Sequence, residues 1–165
     1  MEKLLKTPLS STDITRVLPS VHVVKYSELQ HMNKLPKLPF VLLYETSPNY
    51  GHWVTVLETP EGIEHFDSYG IIPDRELNWI DKNFRSQTGQ DDKHLLKLLY
   101  NSGQKINYSK WRLQAIDSSV CGRWVILRNL LNSYGNDAFG GAVRAVSKKL
   151  NLTPDELVIA ATHDL

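Results

Sequence analysis

The chain has 165 residues, 41% hydrophobic and 22% charged, which excludes a disordered chain or a coiled coil. Its net charge of +1 excludes a strongly basic nucleic-acid-binding body, so nucleic acid has no support as a partner beyond a local basic patch. One cysteine allows no internal disulfide, the N-terminus lacks a signal-peptide core, and no stretch nears the roughly 20 apolar residues of a membrane span; a soluble protein of a reducing, intracellular compartment is expected.

Residues 1–39 are short pieces punctuated by Pro8, Pro19, Pro36 and Pro39. A short helix is expected over Thr12–Leu18, capped by Ser11 or Thr12. Phe40-Val41-Leu42-Leu43-Tyr44 is a continuous apolar run next to prolines and reads as a buried strand. Trp53–Glu58 and Ile63–Asp67 flank Thr59-Pro60-Glu61-Gly62 and predict a β-hairpin. From Pro73 and Asp74 the pattern turns helical, with Leu77, Ile80, Asp81 and Phe84 near one face. Ser86–Asp92 is polar and loop-like, and His94–Tyr100 is short and apolar. Ile106–Gln114 alternates in the manner of another strand. After Cys121, the residues Trp124, Val125, Ile126, Leu127, Leu130, Leu131 and Tyr134 read as a buried central helix that stops at Gly135. Gly140–Leu150 forms a further helix. Thr153-Pro154-Asp155-Glu156 combines a capping box with proline at the first helical position and opens a terminal helix through about Thr162. With no internal repeat and no linker, residues 1–165 read as one α+β domain. Its cysteine-bearing central helix packs on a mixed or antiparallel sheet, with peripheral and C-terminal helices around it.

Cys121 lies in Asp117-Ser118-Ser119-Val120-Cys121-Gly122-Arg123-Trp124, at the expected helix start, with Ser118 or Ser119 as caps. At the first turn of a helix, unpaired N–H groups and the positive dipole end favour a thiolate. Gly122 leaves room beside the sulfur for a substrate backbone. A lone cysteine is more often a core residue, and its company shifts the reading. If the hairpin loop is residues 59–62, Glu58 pairs with Ile63 and Val54 faces Asp67. His52 is then diagonal to Asp67, roughly 7 Å away on the same face. Such an acid fixes the imidazole tautomer and stabilises its charged form. His65 shares the parity and is a rival base, with packing or a surface role the better reading. His22, His31, His94 and His163 lack a comparable setting. Gln114 could donate its amide N–H to a developing oxyanion together with the Cys121 backbone N–H. Trp53 and Trp124 read as core or pocket-wall aromatics, and Asp117 as structural.

Gly51-His52-Trp53, Phe66-Asp67-Ser68-Tyr69-Gly70, Gln114 and Cys121-Gly122 together resemble the clan of the adenovirus maturation protease and the SUMO-deconjugating peptidases. The resemblance covers roughly residues 40–134. It implies a central cysteine-bearing helix on a sheet that supplies histidine and acid. By the same resemblance Cys121 is the nucleophile, His52 the base, Asp67 its orienter and Gln114 the oxyanion donor. The step from Gln114 to Cys121 is similar to the adenovirus enzyme, Asp67 looks like the deconjugating branch, and the small size looks like virophage-type maturation proteases. Activation by a peptide tethered through a second cysteine finds no support, because no second cysteine exists. The expectation is a cysteine peptidase without cofactor or metal, cutting capsid or scaffold precursors during virion maturation in host cytoplasm, viral factory or the virion itself. The alternative is a deconjugase of ubiquitin-like proteins. An inactive binding module is disfavoured, since none of the four positions is replaced.

Overall fold

The computed structural model describes residues 1–165 as an α+β fold with a five-stranded sheet in the order β1-β2-β3-β4-β5. The strands are β1 (His22–Lys25), β2 (Phe40–Ser47), β3 (Tyr50–Thr59), β4 (Gly62–Phe66) and β5 (Ile106–Tyr108). The two outer pairings are parallel and the two inner ones antiparallel, so the sheet is mixed. The helices are α1 (Glu2–Leu5), α2 (Ser11–Val17), α3 (Lys82–Gln87), α4 (His94–Asn101), α5 (Cys121–Leu130), α6 (Asn136–Leu150) and α7 (Pro154–Thr162).

The unbroken apolar run of β2 has a simple cause: both of its faces are buried. Phe40, Leu42 and Tyr44 join Val54, Val56 and Ile63 in a core covered by α4, which buries Leu95, Leu98 and Leu99 at helical spacing. Val41 and Leu43 point the other way, onto Trp53 and onto Ile14, Val125 and Ile126 of α2 and α5. A third cluster joins Leu57 and Phe66 to Trp124 of α5, Phe139 of α6 and Val158 of α7. The cysteine-bearing helix is thus central, as the sequence predicts.

A buried ion pair locks α5 to the sheet. Arg128 donates from Nε and Nη2 to the two oxygens of Glu64 on β4, at 2.7 and 3.1 Å, with both side chains fully buried. Its remaining donors reach the carbonyls of Leu131 and Tyr134, closing the end of the helix. Breaking such a pair strands a charge in the core, which costs about 3–5 kcal/mol. Arg128→Met is therefore expected to lose stability on that scale in urea unfolding. A loss below about 1 kcal/mol would mean that water reaches Glu64.

Several boundaries differ from the sequence reading. Ser10, not Ser11 or Thr12, caps α2 through a capping box with Asp13. The helix expected from Asp74 is interrupted: a 3-10 turn spans Arg75–Trp79, and Asp81 caps a separate α3 with its side chain. The strand expected over Ile106–Gln114 ends at Tyr108: the Ser109 N–H still donates to the His65 carbonyl of β4, and its hydroxyl then turns to Asp67, donating to the Asp67 carbonyl and accepting from the Asp67 N–H. Neither Ser118 nor Ser119 caps α5; the N-cap is Val120, which offers no side-chain acceptor. Leu130, Leu131 and Tyr134 are exposed, contrary to the expectation that they are too apolar to face water. Gly135 is the N-cap of α6, which starts at Asn136 rather than Gly140. The capping box of α7 is as expected, with Pro154 in the first turn. No helix is long and apolar enough to cross a membrane.

Candidate active site

The hairpin register decides which side chains meet. Glu58 pairs with Ile63 and Thr55 with Phe66, the register expected from the loop length. One further step would set Val54 opposite Asp67, which places His52 on the diagonal. The contact forms: His52 Nε2 lies 3.0 Å from Asp67 Oδ1. Gly51 makes this start of β3 feasible, since a Cβ there would sit 1.8 Å from the Tyr44 carbonyl oxygen on β2.

Asp67 is fully buried just beyond β4. Its Oδ1 also accepts from the Tyr69 backbone N–H at 2.8 Å, so the carboxylate is fixed before it meets the imidazole. The Tyr69 ring stacks on His52 with centroids 4.7 Å apart and planes 20° from parallel. Burial alone would depress the histidine, but the Asp67 charge and hydrogen bond, reinforced by the Cys121 sulfur, hold it well above the usual imidazole range. Nε2 is committed to Asp67, which leaves Nδ1 as the ring nitrogen for the thiol. Cys121 is the first residue of α5 and is 6% exposed. Without a capping side chain at Val120, the first N–H groups of that helix receive no acceptor from a cap.

His65 is fully buried, both ring nitrogens lack partners, and its ring meets Tyr108 edge-on. Burial pushes it down to about 4, against the Asp67 charge, so it is neutral at physiological pH and serves as packing. The rival base is thereby set aside on its geometry. Asp117 is exposed and its carboxylate and carbonyl meet Lys6, a surface role.

Gln114 occupies a loop rather than a strand end, and it is held from two sides. The Ser68 carbonyl accepts from the backbone N–H groups of Leu113 and Gln114, at 2.9 and 3.0 Å. Ser68 Oγ donates to Gln114 Oε1 at 2.6 Å, and Gln114 Nε2 donates to the Ser118 carbonyl at 3.0 Å. Because that carbonyl can only accept, the amide orientation is fixed, and the second hydrogen on Nε2 remains for another acceptor. Asp67 and Ser68 are thus a junction: one residue holds the histidine and the next holds the glutamine.

Gly122 has a different reason from the one expected. A Cβ there would lie 2.9 Å from Leu9 Cβ, so the glycine admits the N-terminal segment rather than a substrate. That segment is tied down on both sides of the helix start: the Ser119 N–H donates to the Leu5 carbonyl at 2.7 Å, and Trp53 Nε1 to the Leu9 carbonyl at 3.0 Å. Asp155, at the start of α7, accepts from the Ala115 N–H and from Trp124 Nε1, both at 3.0 Å, clamping the glutamine loop to α5.

Two cavities flank this centre. One, of about 430 Å³, is lined by Tyr44, His52, Tyr69, Glu76 and Trp79. The other, of about 710 Å³, is lined by Leu5, Lys6, Gln114, Asp117 and Asp155; both share Arg112 and Ile116 as a common wall. Ser68, Tyr69, Glu76 and Asp155 were assigned no role from the sequence. Ser68 and Tyr69 adjoin Asp67 and could have been found by adjacency. Asp155 was concealed in a capping box that explains it locally, and Glu76 in an ordinary amphipathic pattern.

With this geometry in hand, comparison with known proteins adds a relative. No family model matches the chain. It is 34% identical over 166 residues to the "Uncharacterized protein V9" of the Sputnik virophage, an alignment covering 95% of each chain. The chain belongs to the family of that virophage protein. Coverage at both ends means that the α+β fold, the hairpin and the cysteine-bearing helix all lie within the span shared with the virophage family, apart from a small unaligned fraction.

Proposed function

We propose that this member of the virophage V9 family is a cysteine peptidase that cuts viral precursor polypeptides. The observation that carries the reading is the imidazole of His52, held 3.0 Å from Asp67 Oδ1, with the Cys121 sulfur near enough to raise its affinity for a proton. A carboxylate–imidazole–thiol line at a helix N-terminus is the arrangement that activates a sulfur nucleophile.

His52 Nδ1 takes the thiol proton, and Asp67 stabilises the resulting imidazolium. The thiolate adds to the scissile carbonyl, forming the C–S bond, and the carbonyl electrons move to oxygen. The Gln114 amide and the Cys121 backbone N–H meet that oxyanion. Collapse breaks the C–N bond while His52 returns its proton to the departing amine. Water, deprotonated by the same imidazole, then cleaves the thioester and releases the acid. All of these groups belong to the chain itself. The viral relative supports a setting in infected cells, and the single free cysteine suits a reducing compartment there, with virion packaging as a further part of the proposal.

Cleavage of a peptide library beside ubiquitin-like reporter fusions tests the substrate class. Peptide cleavage without reporter processing supports precursor maturation, and preferential reporter processing would replace it with deconjugation. Hydrolysis of neither by folded protein would overturn the peptidase reading. For Gln114, removing an oxyanion donor costs on the order of 100-fold in turnover. Gln114→Ala is expected to lower kcat by about that factor with little change in the Cys121 alkylation rate. Gln114→Glu is expected to be at least as harmful, since a carboxylate has no hydrogen to donate. A fully active Gln114→Ala enzyme would reduce the residue to a brace for Ser68 and Ser118.

A further inference from the structure

One group at the centre has no part in this chemistry. Glu76, on the 3-10 turn, is 4% exposed, and neither of its carboxylate oxygens has a hydrogen-bond partner. Its Oε1 lies 3.8 Å from His52 Nε2, the same nitrogen that sits 3.0 Å from Asp67 Oδ1. Asp67 Oδ2 is likewise buried and unpartnered. No lysine or arginine pairs with either acid; Arg112 lines the adjoining cavity but is itself exposed. Two buried carboxylates therefore converge on one imidazole, with three oxygens unmet by any donor. A protonated His52 offsets only one of the two carboxylate charges, so the arrangement stays costly unless a further cation completes it.

We propose that His52, Asp67 and Glu76 form a binding site for a divalent transition-metal ion of the zinc type, and that the bound ion turns the peptidase off. One ligand atom from each of the three residues lies within 4.8 Å of the others. Around a tetrahedral ion with ligands at about 2.0–2.1 Å, ligand atoms sit roughly 3.3 Å apart. The separations of 3.0 and 3.8 Å at His52 bracket that value, so closure on an ion needs side-chain shifts of about 1 Å. One imidazole with two carboxylates suits zinc or manganese better than magnesium, which keeps its waters. The fourth position opens on the cavity that His52 and Glu76 line, which supplies both an entry path and a water ligand.

Inhibition follows from which nitrogen is taken. The ion occupies the Nε2 lone pair, so the single remaining ring hydrogen resides on Nδ1, and any second proton leaves to solvent. An imidazole with hydrogen on Nδ1 cannot accept the thiol proton. Asp67 becomes a metal ligand and no longer orients the ring. The catalytic base is lost while Cys121 is untouched. The binding claim stands on the three side chains, and only its inhibitory consequence rests on the peptidase reading.

The test titrates Zn²⁺ into Cys121→Ala protein, which has no thiol to capture metal, in competition with a chromophoric chelator. One ion per chain is expected, and Glu76→Gln in the same background is expected to weaken it by about ten-fold or more. Co²⁺ as a stand-in should give a visible band with no thiolate charge-transfer feature, in protein whose circular dichroism matches the parent. In the intact enzyme, Zn²⁺ should abolish peptide cleavage, a chelator should restore it, and Glu76→Gln should raise the Zn²⁺ concentration needed. Equal affinity with and without Glu76, loss of binding in Cys121→Ala, or no binding at all by folded protein would each overturn the site. Glu76-dependent binding in a chain that cleaves nothing would leave the metal site standing and remove the peptidase.

Discussion

Cys121→Ala is expected to yield a folded protein with no detectable peptidase activity, and Cys121→Ser the same. The chain holds no second thiol, so no neighbouring group can substitute. Cys121 is 6% exposed and clusters with Ile14, Trp53 and Val125, and trimming its side chain to a methyl group removes about 1 kcal/mol of packing. Thermal melting should therefore shift by only a few degrees while hydrolysis disappears, which separates chemistry from folding. Serine keeps the size of the side chain but offers a hydroxyl, a much weaker nucleophile than a thiolate beside an imidazole. Cleavage by the alanine variant at an undiminished rate would dispose of the nucleophile assignment.

His52→Ala is expected to reduce turnover on the order of 10⁴-fold, since in the proposed mechanism one ring serves the thiol as base and the leaving amine as acid. The substitution also removes a stacked partner from Tyr69 and a hydrogen bond from fully buried Asp67, so about 1–3 kcal/mol of stability should go with it. Chemical rescue distinguishes the two losses. The deleted ring opens onto a cavity of about 430 Å³, large enough to admit free imidazole, and added imidazole should restore part of the rate without restoring stability. His65→Ala is the opposite case: it empties a fully buried site and should lower stability while leaving kcat nearly unchanged at equal folded fraction. The reverse pattern would mean that the wrong histidine has been chosen.

The parts of this architecture that could be read from sequence are those set by local rules. The loop of residues 59–62 determined the hairpin register, and the register alone brought His52 to Asp67. The apolar run of β2 and the capping box of α7 were equally local. What escaped depends on partners far along the chain. Leu130, Leu131 and Tyr134 continue the apolar pattern of α5, yet the helix ends because Arg128 turns back to cap it and is itself drawn to Glu64. The alternation of residues 106–114 suggested a strand, but Ser109 and Ser68 divert that backbone to the site. Gly122 looked like space for a substrate until Leu9 was found against it. Periodicity describes which residues want burial and is silent on which distant group supplies it.

The clamp made by Asp155 has a consequence for biosynthesis. Protein chains fold from the N-terminus as they leave the ribosome. His52, Asp67, Gln114 and Cys121 all emerge before Asp155; Ser68 can hold Gln114 by then, yet the tie from the Gln114 loop to the Trp124 indole of α5 forms only when that carboxylate arrives. A nascent chain ending before α7 holds every reacting group and lacks the brace that aligns them. The order of synthesis thus delays the fully braced site until the residues of α7 have been made. Under the peptidase activity proposed above, this order keeps the site from cutting its own chain, or others being made beside it, before α7 has formed.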